Sequence, residues 1–97
     1  MTISEVVKDI RALESDLENY ERKYGLLSET FYEAYRTGEE PTEDAWVLDW
    51  SDWAGAYEIW LHRRSEYQNL MRQLTAQTNP SDILQRAARR ESIELAV

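Results

Sequence analysis

Few side chains in this sequence carry the chemistry for proton transfer or metal binding. His62 is the only histidine, and Glu58 precedes it by four residues, the spacing of neighbours on one helical face. Such a pair could hold a metal or move a proton. Helix-based dimetal sites, however, draw several ligands from several helices with Glu-x-x-His spacing, and that pattern is missing here. His62 therefore reads as a surface histidine beside a helical acid. Asp44, Asp49 and Asp52 could suggest a cation site. A calcium loop needs alternating oxygen ligands, a central glycine and a terminal glutamate, and the segment has no such order. Cysteine is absent, which removes thiolate nucleophiles, thiolate metal sites and disulfides. The three glycines are isolated and form no phosphate cradle, and no serine has a base in a convincing setting. The sequence predicts a protein that is not an enzyme and has no cofactor and no metal site.

The remaining material is aromatic and acidic. Four Trp, six Tyr and one Phe stand in a chain of 97 residues with a formal charge of −8. By segment, residues 1–27 contribute −2, residues 28–53 contribute −7, residues 54–78 contribute +1 and residues 79–97 contribute 0. An acidic middle repels phosphate backbones and attracts basic surfaces, which predicts a basic protein partner and no direct contact with nucleic acid or membrane. Acidity also serves solubility alone. No apolar run approaches the roughly 20 residues of a bilayer span, and Met1-Thr2-Ile3-Ser4-Glu5 does not open a signal peptide, so a cytoplasmic location is expected.

The elements that position these residues follow from periodicity. Ile3, Val6, Ile10, Leu13, Leu17, Tyr20 and Tyr24 recur at spacings of three and four, the seam of an amphipathic helix. Thr2 and Glu5 have capping-box spacing at its start, and Gly25 can close its end. A short helix is predicted from Glu29 to about Arg36, with Ser28 as N-cap and Gly38 as stop. After the polar turn Gly38-Glu39-Glu40-Pro41, Thr42 restarts a helix. Its seam is Trp46, Trp50, Trp53, Tyr57, Trp60, Arg64, Tyr67, Met71 and Leu74, in which Arg64 either sets register or partner choice by pairing with an acid or extends its charged head to water, the second being the reading preferred. Gly55 between Ala54 and Ala56 reads as a place where another backbone comes close. Asn79, Pro80 and Asp82 open a fourth helix with a modest apolar face of Ile83, Leu84, Ala87, Ala88 and Leu95.

The fold class predicted is all-α: an antiparallel, coiled-coil-like helical hairpin of residues 3–24 and 46–76, a short intervening helix near the Trp-rich end, and a loosely docked C-terminal helix. The division expected is a hairpin domain over 1–78 and a C-terminal helical extension over 79–97. The Trp stripe has two readings, hairpin core or exposed interface, which spacing does not separate. Val47, Leu48 and Ile59 lie off the seam, and one hairpin cannot easily bury them together with Phe31, Tyr32 and Tyr35. The excess predicts a binding surface. Its candidate partner-binding residues are Phe31, Tyr32, Tyr35, Trp46, Trp50 and Trp53, with Glu39, Glu40, Glu43 and Asp44 steering a basic partner.

The stretch Lys23-Tyr24-Gly25-Leu26-Leu27-Ser28-Glu29-Thr30-Phe31-Tyr32, running through Tyr35-Arg36-Thr37-Gly38-Glu39 to Trp50-Ser51-Asp52-Trp53-Ala54, resembles a segment of small helical prokaryotic proteins. Those are the antitoxin-like partners of small toxins, including toxins of the TumE type. The resemblance covers residues 23–60. Leu26 and Leu27 depart from its usual Met-Ser, Pro41 is added in the turn, and residues 79–97 lie outside it. It implies a protein that neutralises a small toxic enzyme, with the acidic aromatic middle meeting a basic active surface. The alternatives are a homo-oligomeric helical bundle, the form expected of the chain alone, and an acidic mimic of DNA that occupies a basic groove.

Overall fold

Thr2 and Glu5 close the capping box that starts the first helix. The Thr2 backbone N–H donates to Glu5 Oε2 and the Glu5 N–H to Thr2 Oγ1, both at 3.2 Å. That helix, α1 (Ile3–Tyr24), ends at Gly25, whose φ of 68° turns the chain while its N–H still reaches the Glu21 carbonyl at 2.8 Å. Then come α2 (Ser28–Arg36), α3 (Asp44–Gln77) and α4 (Pro80–Ala88). The computed structural model describes residues 1–94; Leu95, assigned above to the last apolar face, lies outside them. Among the described residues the chain is all-helical, with four helices and no strand, as its periodicity predicts.

The described residues sort into two units. Residues 11–61 make one; residues 1–10 and 62–94 make the other, and α1 and α3 each contribute to both. In the 11–61 unit the two long helices run antiparallel. Lys23 and Tyr24 of α1 meet Asp49 of α3, Tyr20 stacks on Trp53, and Glu14 accepts a hydrogen bond from Trp60 Nε1 at 3.2 Å. Descending numbers on α1 thus meet ascending numbers on α3. The core between them is Leu17, Phe31, Trp53 and Ala54, closed round by half-buried tyrosines and tryptophans. Phe31 carries α2 onto the Trp-rich part of α3.

In the other unit the buried residues are Val6, Ile10 and Ile93. Asn79 caps α4 as expected, accepting from the Asp82 N–H at 2.7 Å, with Pro80 in the first turn. The helix itself buries no residue, and Leu84 of its predicted apolar face is 68% exposed. The anchor is the strap that follows. Arg90 takes a left-handed φ of 63°, its N–H bonds Ala87 O and the Glu91 N–H bonds Arg86 O, each at 3.0 Å, which is a Schellman closure. The strap then lies along the start of α1. The Ile3 N–H donates to the Ile93 carbonyl at 3.1 Å, Thr2 and Glu94 form an isolated antiparallel bridge, and Ile93 is 5% exposed.

Two local expectations are corrected. Ser28 does not cap α2: it is the first helical residue, Leu27 precedes it as N-cap without a side-chain bond, and the Ser28 hydroxyl is turned inward. Gly55 meets no neighbouring backbone, since a Cβ built there finds no atom within 4 Å. The residue costs helix stability without a packing return. Gly55→Ala should raise the unfolding free energy by about 1 kcal/mol, read from urea denaturation followed by circular dichroism.

Candidate functional site

The predicted partner-binding residues all fall in the 11–61 unit but not in one environment. Trp53 is 1% exposed and Phe31 is 6% exposed. Their rings lie parallel, 3.9 Å apart between centroids, and Tyr20 and Tyr24 also stack against Trp53 at 5.7 and 5.5 Å. Of the two readings of the aromatic stripe, Phe31 and Trp53 fall on the core side within this unit, where their rings contribute packing. Trp50, Tyr32 and Tyr35 are half-buried against this cluster. Trp46, also half-buried, stacks on Trp50 at 5.7 Å with planes 6° apart. Glu39, Glu40, Glu43 and Asp44 are all exposed, and immediately after them Val47 and Leu48 point outward, Leu48 at 74% exposure. An acidic turn thus adjoins an apolar surface on the first turn and a half of α3.

A buried indole needs an acceptor for its N–H. Trp53 Nε1 donates to Ser28 Oγ at 2.8 Å, and Ser28 Oγ donates in turn to Glu21 Oε2 at 2.7 Å. The same carboxylate oxygen accepts the Ser28 backbone N–H at 2.9 Å. Glu21 thereby performs the capping of α2 that Ser28 was expected to perform, and Ser28 is spent on Trp53. The relay joins all three helices of the unit.

A second polar junction ties α1 to α3. Asp49 accepts from Lys23 Nζ and, at 2.6 Å, from the Tyr24 hydroxyl. Hydrogen bonds from Lys23 and then Tyr24 hold the Asp49 carboxyl below its ordinary pKa. The bond to Asp49, reinforced by burial, pushes the Tyr24 phenol up to about 12. Tyr32 Oη donates to Glu58 at 2.8 Å, and that bond raises the Tyr32 pKa as well. Glu58 is thus engaged away from His62, whose acid neighbour is Glu66, four residues later, at 3.6 Å. Among the described residues no three His, Asp or Glu side chains are grouped so as to hold a metal ion.

Beside the relay lies an open cavity of about 350 Å³ that the sequence reading did not identify. Leu17, Leu27, Tyr57 and Trp60 supply its apolar wall, and Glu14, Glu18, Glu21 and Glu29 its acidic rim. Glu14, Glu18 and Glu21 follow one another at spacings of four and three on α1, so the acidic stripe is legible in the sequence. The wall is not, because Leu27 reaches it only through the turn into α2. Burial, and after it the charge of Glu29, raises the Tyr57 pKa. The cavity sets carboxylate acceptors beside the rings of Tyr57 and Trp60 and the side chains of Leu17 and Leu27, a setting suited to a cation with an apolar stem.

Compared with known proteins, the chain matches no family, no curated protein and no solved structure.

Two outcomes test this geometry. Ser28→Ala should cost about 1–3 kcal/mol because it orphans the Trp53 N–H, and the cost should shrink in a Trp53→Phe background, a coupling read from a double-mutant cycle of urea unfolding. Tyr24 stabilises the fold most below its unfolded pKa near 10, because the folded state holds its proton more tightly. That contribution should be lost as pH rises from 10 through about 12. Tyr24→Phe should flatten the alkaline part of the stability profile, and Asp49→Asn should bring the Tyr24 phenol ionisation, followed by ultraviolet absorbance, to lower pH.

Proposed function

We propose that this chain is a protein-binding module that neutralises a small basic toxin. The observation that carries the reading is the sorting of charge: residues 11–61 hold thirteen acids against four bases, a net of −9, while residues 1–10 and 62–94 hold six acids against seven bases. A field of that strength on one unit accelerates and orients encounter with a basic surface. Val47 and Leu48, exposed beside the acidic turn, offer apolar area to be buried once the partner has arrived. The toxin in this reading comes from the resemblance of residues 23–60; the basic protein partner comes from the charge and the exposed apolar surface.

Capture on the tagged chain at moderate salt, followed by reconstitution of the captured protein from purified components, tests it. A small basic protein binding in a defined ratio, silenced when bound, is the expected result. Leu48→Asp and the pair Glu43→Lys with Asp44→Lys should each weaken binding by about tenfold or more while helicity is kept, the charge-reversed pair acting mainly on the association rate. A chain that forms a stable homo-oligomer in sedimentation and retains no partner would replace this reading with the helical-bundle one.

A further inference from the structure

The cavity between α1, α2 and α3 of the 11–61 unit sets an apolar wall against a rim of glutamates. We infer that it is a receptor for the guanidinium group of one arginine presented by the basic partner, an inference that rests on the function proposed above. Charge complementarity selects the occupant. The rim carries carboxylates from two helices, and two of them are exposed: Glu29, and Glu18, one oxygen of which meets Arg22 at 2.6 Å. A small metal ion needs ligands that converge on a point, and no such group is present among the described residues. An extended planar cation instead takes carboxylates spread along its edge, lays its flat face on a ring and buries its methylene stem on aliphatic surface. Tyr57 and Leu27 provide those last two surfaces.

The site is already ordered. Glu21 is fixed by two hydrogen bonds from Ser28 to one of its oxygens, and each carboxylate oxygen can accept more than one bond, so the group is aimed before any ligand arrives. Tyr57 is held by ring contacts with Tyr32 at 5.1 Å and Trp60 at 5.6 Å. A site whose side chains are held by their neighbours loses little conformational freedom on binding. Leu27 is 60% exposed although its neighbour Ser28 is buried, so the turn presents an apolar side chain at the cavity mouth. Lysine is the poorer occupant: its ammonium is compact and strongly hydrated, and cannot share two carboxylates while lying flat on a ring.

The test uses the full chain and small probes, so it needs no partner in hand. N-acetyl-arginine methylamide is titrated into the labelled protein by nuclear magnetic resonance, with the matching lysine and citrulline compounds as controls. Saturable shifts are expected at the Trp60 indole N–H and at the Leu27 and Ser28 amides, severalfold weaker with lysine and absent with the neutral citrulline. Glu18→Gln with Glu29→Gln should weaken arginine binding about fivefold with unchanged helicity. Leu27→Ser should weaken it too. No saturable shift, equal response to lysine, indifference to the two glutamines, or a second copy of the chain covering the cavity in solution would each overturn the inference. Fragment binding with no basic protein recovered would leave the receptor and remove the neutralising role. A recovered partner that ignores Glu18→Gln with Glu29→Gln would keep the role and remove the receptor.

Discussion

Burying the indole of Trp53 is the constraint on which the 11–61 unit is built. Its rings bring together α1, α2 and α3 through stacking on Tyr20, Tyr24 and Phe31. Its one polar atom must be matched inside, since an orphaned buried donor costs more than a made hydrogen bond contributes. Ser28 meets that demand and is held in turn by Glu21. The start of α2 is thus placed by an interior need, and the neighbouring Leu27 is left outside. The cavity wall is a by-product of how the core is satisfied.

Electrostatics in this unit works at two ranges. Each of its four bases has a carboxylate partner: Arg11 with Glu14, Arg22 with Glu18, Lys23 with Asp49 and Arg36 with Glu33. Exposed pairs of this kind contribute little individually to stability. What they leave is an excess of negative charge whose self-repulsion the aromatic core must outweigh. An arrangement that tolerates this repulsion in isolation has the means to relieve it on meeting positive charge.

Periodicity made most of the fold legible. Every residue of the predicted α1 seam, from Ile3 to Tyr24, is buried or half-buried, and so is every α3 seam residue from Trp46 to Leu74 except the exposed Arg64. These patterns are local, and so are the caps Thr2 with Glu5 and Asn79 with Asp82. The errors arose where distant residues decide. A serine at a helix start looks the same whether it caps the backbone or receives an indole 25 residues away. His62 has acids four residues before and after, and only the reach of Tyr32 to Glu58 separates them. Ile93 sits in a strap too short for any period. For the candidate site, the sequence found the aromatic set but not its division, because Trp46 and Trp53 share a helical face and differ only in what lies opposite.

The strap from Arg90 to Glu94 gives the chain an order in time. Residues 11–61 are contiguous, so during synthesis the partners of Trp53 are all present once residue 61 has left the ribosome. The other unit draws on residues 1–10 and 62–94, and Ile3 waits for Ile93 before its N–H is satisfied. The acidic unit can therefore mature on the nascent chain before residues 62–94, on which the other unit draws, have been made.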